Sequence, residues 1–206
     1  MASSIFIRVI FFYLSFCIFF ILDNKAKCPD FYMNHFMDLI TQPDDITCGP
    51  TSTAMILRFY GKNVEVDEIK KITKTVWYSK GDKDFGMTAP ELIRICLKKY
   101  NLNAKIKTGN IKKLKCVVGS GKPCIVLIRS GEWNWHYVIV IGYDKEMIYY
   151  ANPTDAEIDA LSVEEFDRAW NWTGDIRGRS CSWWISFWLR ILEIYPRTYV
   201  YVDSNI

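Results

Sequence analysis

The sequence predicts an α+β domain, with helices leading and an antiparallel sheet following. Three observations carry that expectation. Helical patterns with their own start and stop residues occupy much of the stretch from 51 to 118. Apolar runs of strand length follow, Cys124–Arg129, Trp135–Tyr143 and Met147–Ala151, separated only by short turns. Half of the 206 residues are hydrophobic and 16% are aromatic, which is ample for one sizeable core.

Taken in order, residues 5–22 are apolar, and the 14 residues from Val9 to Leu22 carry no charge. That length suits the core of a signal peptide; counting from Ile5 across Arg8 gives 18 residues, the lower limit for a membrane span. A helix this apolar on every face does not read as a surface helix. Residues 1–29 are therefore expected to be a signal peptide or membrane anchor with a polar spacer, and residues 30–206 the folded domain. Such a leader places the domain outside the cytoplasm, anchored or secreted.

Within the domain, Thr51–Tyr60 reads as a helix stopped by Gly61, and Val66–Thr73 as a second one. Lys80–Gly86 reads as a loop. Thr88-Ala-Pro-Glu91 has the form of a capping box opening a helix to Tyr100. A short strand is expected over Asn103–Lys107, then a small helix capped by Asn110 and broken at Gly119-Ser-Gly121. Cys124–Arg129 is a buried strand, Trp135–Tyr143 and Met147–Ala151 form a hairpin, and Ser162-Val-Glu-Glu165 caps a helix reaching about Trp172. The segment Cys181–Tyr195 is rich in tryptophan, and core packing, an interfacial position and a terminal strand at Arg190–Tyr195 all remain open for it.

The formal net charge of +3 gives no case for nucleic acid, and the lysines of 105–107 and 112–115 read as a solvated face. Seven cysteines occur without Cys-x-x-Cys or close Cys/His spacing, so no zinc site is expected and no disulfide is dictated. Neither a metal nor a cofactor is implied. No nucleotide-binding Gly-x-x-x-x-Gly-Lys motif is present, so this sequence does not read as a complete exporter.

The residues with chemistry are few. Cys48 stands at the mouth of the Thr51–Tyr60 helix, where unpaired N–H groups and the helix dipole favour a thiolate. That predicts Cys48 to be the most acidic thiol of the domain. Gln42, six residues earlier, can supply a side-chain N–H for an oxyanion beside the Cys48 backbone N–H. A base is also required, and only His35 and His136 exist. His136 opens the first strand of the hairpin and Asn152 closes the second, so the two can meet at one end, with Asn152 orienting the imidazole. His35 lies outside every motif, and Trp133 and Trp135 flank His136, as packing or as walls of a groove. Asp44 and Asp45 read as a solvated loop.

Gln42, Cys48-Gly-Pro, the Ala-Met-Ile-Leu helix ending at Tyr60-Gly61, and His136-Tyr-Val-Ile-Val-Ile-Gly-Tyr-Asp followed by Asn152-Pro153 together resemble the papain-like peptidase domains of the bacteriocin-leader (double-glycine) peptidase family. The stand-alone, peptidase-like branch is the nearer likeness, through Gly86–Glu91, Leu161–Phe166 and Ala169-Trp170, and the resemblance spans roughly residues 36–195. It implies a papain-like fold and a catalytic set of Cys48, His136, Asn152 and Gln42. Two positions depart from the family pattern: Thr47 stands where an acidic residue is usual, and Asn152 where Asp is usual. A neutral amide still fixes the ring tautomer but offers less charge to an imidazolium.

The expected activity is cysteine-dependent hydrolysis of a peptide or amide bond through an acyl-enzyme, on a peptide or protein substrate. Two other readings stay open at this point: transfer of the acyl group to an amine by the same residues, and an idle, membrane-tethered domain that only binds peptide.

Overall fold

The computed structural model describes residues 28–131, 134–180, 187, 189–191 and 194–203. The apolar leader, Trp133 and most of 181–188 lie outside the described residues. Five helices are described: α1 (Cys48–Phe59), α2 (Val66–Ile72), α3 (Pro90–Lys99), α4 (Ile111–Val118) and α5 (Val163–Trp170). Nine strands accompany them: β1 (Tyr32–Met33), β2 (Val76–Lys80), β3 (Lys83–Gly86), β4 (Ala104–Thr108), β5 (Cys124–Arg129), β6 (Trp135–Tyr143), β7 (Met147–Asn152), β8 (Glu157–Ser162) and β9 (Thr198–Val202). The main sheet runs β4-β9-β5-β6-β7-β8, with β1 added against β6, and every pairing in it is antiparallel. The α+β expectation is met.

Strand β6 explains how the layers assemble. Successive side chains of a strand face opposite sides. Tyr137, Ile139 and Ile141 join one core with Ala54–Leu57 of α1, Ile69 of α2 and Ile93, Cys96 and Leu97 of α3. Val138 and Val140 join a second core with Leu114 and Val118 of α4 and Phe166, Ala169 and Trp170 of α5. The sheet is thus covered on both faces, which is why β5 and β6 read as continuous apolar runs rather than alternating ones. All six residues of β5 are buried.

Several local expectations are corrected. Lys80–Gly86 is not a plain loop: Val76–Lys80 and Lys83–Gly86 pair as an exposed hairpin around Gly81-Asp82. Thr88 does not cap α3. Ala89 holds that position, Pro90 begins the helix, and the buried Thr88 hydroxyl is bonded to Thr75 Oγ1 at 2.6 Å. Glu91 turns instead to Arg94 on its own helix. The capping boxes differ in outcome, since Ser162 and Glu165 form theirs reciprocally. Asn110 caps α4 as expected, accepting from the Lys113 N–H at 3.0 Å. Phe187 and residues 189–191 are helical; Leu189 and Ile194 enter the first core, while Phe187, Ile191 and Tyr195 are exposed.

The structure also supplies a disulfide that the sequence did not dictate, Cys28–Cys116, joining the start of the described chain to α4. Next to it, Tyr143 donates its hydroxyl to Pro29 O at 2.9 Å. Strand β1 then lies along the far end of β6, and Gly142 permits it: a Cβ there would stand 2.8 Å from Tyr32 O. No helix among the described residues is long and apolar enough to cross a membrane.

Candidate active site

Hairpin geometry brings two of the predicted residues into contact. Ile139 of β6 pairs with Ala151 of β7, and His136 and Asn152 both lie beyond that pair toward the same end of the sheet. There His136 Nε2 meets Asn152 Oδ1 at 2.8 Å. Asn152 Nδ2 donates to Asp159 Oδ2 on β8 at 2.8 Å, and the Thr154 N–H donates to Asn152 Oδ1 at 3.1 Å. Thr154 Oγ1 lies 3.3 Å from the same ring nitrogen.

Gln42 arrives at this end through its backbone, its N–H donating to Pro153 O at 2.6 Å. Its side-chain Nε2 donates to Asp44 O at 2.8 Å, and its Oε1 is buried without a partner. The Thr47 hydroxyl donates to the same Asp44 carbonyl at 3.0 Å, so the residue that departs from the family pattern holds the loop shut. The Asp44 carboxylate is not merely solvated, as the sequence suggested. It caps Ile46 N–H at 3.1 Å and pairs with Lys70 at 2.8 Å, while Lys70 also reaches Asp84 of the exposed hairpin at 3.0 Å. Burial acts upward on Asp44, but its bonds to Lys70, Thr47 and Ile46 outweigh it and hold the carboxyl below its ordinary value. Asp45 is exposed.

Cys48 is the first residue of α1 and is 7% exposed. Gly49 lets the helix mouth sit against the sheet: a Cβ there would stand 2.9 Å from Thr88 Cβ and 3.2 Å from Tyr137 Cδ2. The backbone N–H groups of Tyr137, Gly49 and Cys48 itself face the sulfur. Tyr137 is the residue after His136, so the thiol reaches the start of β6, yet no described hydrogen bond joins Cys48 to the His136 ring.

At the thiol, burial opposes the helix mouth. Burial pushes the Cys48 thiol above its ordinary value, and the three N–H groups only partly offset it. Burial likewise pushes the His136 imidazole below its ordinary value, against the Asn152 bond and the charges of Asp155 and Asp159, which act upward. Burial thus acts on both groups in the direction that favours the neutral thiol and the neutral imidazole. Burial raises the other free cysteines as well, Cys96 to about 11 and Cys124 higher still.

His35 is exposed and bonds to none of these groups. Trp135 packs edge-on against Trp172, with the Arg129 guanidinium over its ring at 4.4 Å. No group of His, Cys, Asp and Glu among the described residues is arranged to hold a metal ion. Sequence reasoning missed Thr154, Asp159 and Lys70. Thr154 follows Asn152-Pro153 closely enough to have been suspected, whereas Asp159 and Lys70 reach the site only through β8 and α2.

Comparison with known proteins agrees with this architecture. The sequence pattern of the Peptidase_C39-like family matches residues 36–177. No curated protein sequence matches significantly. Among solved structures, one from Bacillus anthracis described as a C39-like peptidase superposes with a TM-score of 0.61 at 18% identity, covering 85% of this chain and 99% of that one. A double glycine motif protease from an AMS/PCAT transporter, solved with its leader peptide, gives 0.54 at 20% identity, covering 82% and 92%. The peptidase domain of Streptococcus ComA, a bifunctional ABC transporter, gives 0.56 at 16%, covering 82% and 98%.

Proposed function

The chain belongs to the Peptidase_C39-like family and is a papain-like cysteine peptidase, and from that premise we propose that Cys48 is its nucleophile, His136 its general base and acid, Asn152 the residue orienting the ring, and Gln42 an oxyanion donor. The observation that carries the assignment is the 2.8 Å contact of His136 Nε2 with Asn152 Oδ1 at the sheet end where Gln42 and the Cys48 helix also arrive. With Nε2 engaged, Nδ1 is the nitrogen left to take the thiol proton.

In this mechanism the neutral pair is the resting state. As a peptide carbonyl enters, the Cys48 proton passes to His136 Nδ1 and the sulfur bonds to the carbonyl carbon. The oxygen becomes an oxyanion, met by the Cys48 backbone N–H and by the second N–H of the Gln42 amide, the first being held by Asp44 O. Losing one such donor typically costs about 3 kcal/mol of barrier. Collapse of the tetrahedral adduct breaks the C–N bond, and the leaving amine takes the proton from His136. Water then cleaves the thioester. An amine in place of water would give acyl transfer, and product analysis with and without added amine separates the two outcomes.

A peptide substrate is the natural choice, since a structural neighbour is a double glycine motif protease solved with its leader peptide. The Cys28–Cys116 disulfide supports an extracytoplasmic location, because oxidised pairs persist there and are rare in the cytosol. Residues 5–22 would hold the domain at the membrane or direct its export, which fractionation of the full-length protein tests. The central experiment is cleavage of a fluorogenic peptide with a Gly-Gly site. Cys48→Ala and His136→Ala should abolish turnover, while His35→Ala retains it. Equal losses from the two histidine variants, with folding preserved, would refute the assignment.

A further inference from the structure

Asp159 lies on β8 opposite Tyr150, two residues along from Glu157, the direct partner of Asn152. Side chains offset by two positions on neighbouring strands share a face and meet diagonally when they are long enough. Asp159 and Asn152 do so, at 2.8 Å from Nδ2 to Oδ2. We propose that Asp159 is a positioning residue of the site: its carboxylate fixes which way the Asn152 amide faces, and through that amide it fixes the tautomer of His136.

The argument is one of hydrogen-bond polarity. An amide is nearly symmetric in shape, so its oxygen and nitrogen can exchange places by a flip of the side chain. An ionised carboxylate only accepts, so the atom facing Asp159 must be the NH2 group. The oxygen then faces His136, and the Thr154 N–H, which only donates, meets that same oxygen at 3.1 Å. Facing an acceptor, the ring must carry its proton on Nε2. Nδ1 is left with its lone pair, the form in which it can take a proton from a thiol. A flipped amide would present N–H to Nε2, move the ring proton to Nδ1 and remove the base. Asn152 alone is indifferent between the two states; the Thr154 N–H and the Asp159 carboxylate both select the one seen, and Asp159 adds the charge-assisted contact.

The same arrangement accounts for a neutral residue at the third position. The carboxylate stands one side chain further out, linked to the imidazole through a polarised amide. Its charge still acts upward on the His136 pKa, together with that of Asp155, against the burial of the ring. It also makes Asn152→Asp a poor substitution on its own, because two carboxylates would then meet at hydrogen-bond distance and one would be forced to hold a proton.

This inference rests on the functional reading above, but its first test does not require turnover. The intact protein has two histidines, so the ring nitrogens of His136 can be followed by 15N NMR. Wild type should show a single tautomer protonated at Nε2. Asp159→Asn keeps an oxygen for the Asn152 amide and should preserve that tautomer; Asp159→Ala should give a mixture. With the Gly-Gly peptide, Asp159→Ala should lower kcat about tenfold, the worth of one charge-assisted hydrogen bond, and leave KM unchanged. Asn152→Asp alone should lose a similar factor. The exchanged pair Asn152→Asp/Asp159→Asn restores a donor facing a carboxylate and should recover most of the loss. A wild-type tautomer in Asp159→Ala, or an exchanged pair no better than Asn152→Asp alone, would overturn the proposal. A Cys48→Ala protein that still cleaves the peptide would instead overturn the assignment of Cys48 as nucleophile and leave the tautomer result standing.

Discussion

Replacing Gly49 by Ala adds one carbon where the nucleophile's helix meets the Thr88 loop and strand β6. That carbon would lie 2.9 Å from Thr88 Cβ and Oγ1 and 3.2 Å from the Tyr137 ring. Ordinary carbon contacts need about 3.5–4.0 Å, so roughly 1 Å of movement is required. Thr88 cannot supply it: its hydroxyl is held by Thr75 at 2.6 Å and its carbonyl by the Tyr137 hydroxyl at 2.7 Å. The helix mouth must move instead, and Cys48 with it. Ala is a better helix former than Gly by up to about 1 kcal/mol in a helix interior, but overpacking of this kind costs about 1–3 kcal/mol, so destabilisation wins. For a domain of this size the melting temperature should fall by about 2–10 °C. A nucleophile displaced by about 1 Å can lose a hundredfold in rate. Thermal unfolding read with peptide cleavage therefore tests both consequences together. A Gly49→Ala protein with wild-type melting temperature and turnover would show that the helix mouth is not packed as described.

Reduction of Cys28–Cys116, or a Cys28→Ser/Cys116→Ser variant, opens a loop spanning 88 positions; the chain-entropy relation gives roughly 4–5 kcal/mol, read as a lower melting temperature with TCEP, and an unchanged one would contradict a structural role. Because the folded state holds His136 below its unfolded pKa of about 6.5, that group's contribution to stability is complete above this value and is lost as pH falls from there through the folded pKa. Wild type should thus lose more stability than His136→Gln between pH 7 and pH 5, and parallel pH profiles would exclude the effect. Iodoacetamide labelling of Cys48 in the free protein should accelerate only above about pH 8.5, as expected for a buried thiol, and a plateau reached in the acidic range would restore the ion-pair picture.

What was legible in the sequence was what depends on neighbours in the chain. Strands β5, β6 and β7 announced themselves as apolar runs, and Asn110 and Ser162 as caps with their partners three residues on. The meeting of His136 with Asn152 followed from the hairpin alone. The β2–β3 hairpin was overlooked although Val76-Trp-Tyr before Gly81-Asp82 is a strand leading into a two-residue turn. Thr88 misled because a capping box is a local pattern, and a distant partner, Thr75, had claimed the hydroxyl. Strand β8 is only half apolar and lies at the sheet's edge, and β9 inserts between β4 and β5, far from either in the chain. Asp159 became visible only with β8. The upward push of burial on the Cys48 thiol was not legible, because position at a helix mouth is readable from sequence, whereas burial is a property of the assembled layers.

The disulfide has a mechanical consequence. Residues 29–115, which carry Gln42, Cys48 and helices α1 to α3, lie inside the covalent ring closed by Cys28 and Cys116. A pull applied through the residues before Cys28 enters α4 directly across the sulfur bridge and bypasses that ring. The load reaches the sheet through α4, whose Leu114 and Val118 share a core with Val138 and Val140 of β6. The nucleophile's helix is thereby kept off the path of tension, and it cannot be peeled from the sheet from the N-terminal side while the bridge is intact.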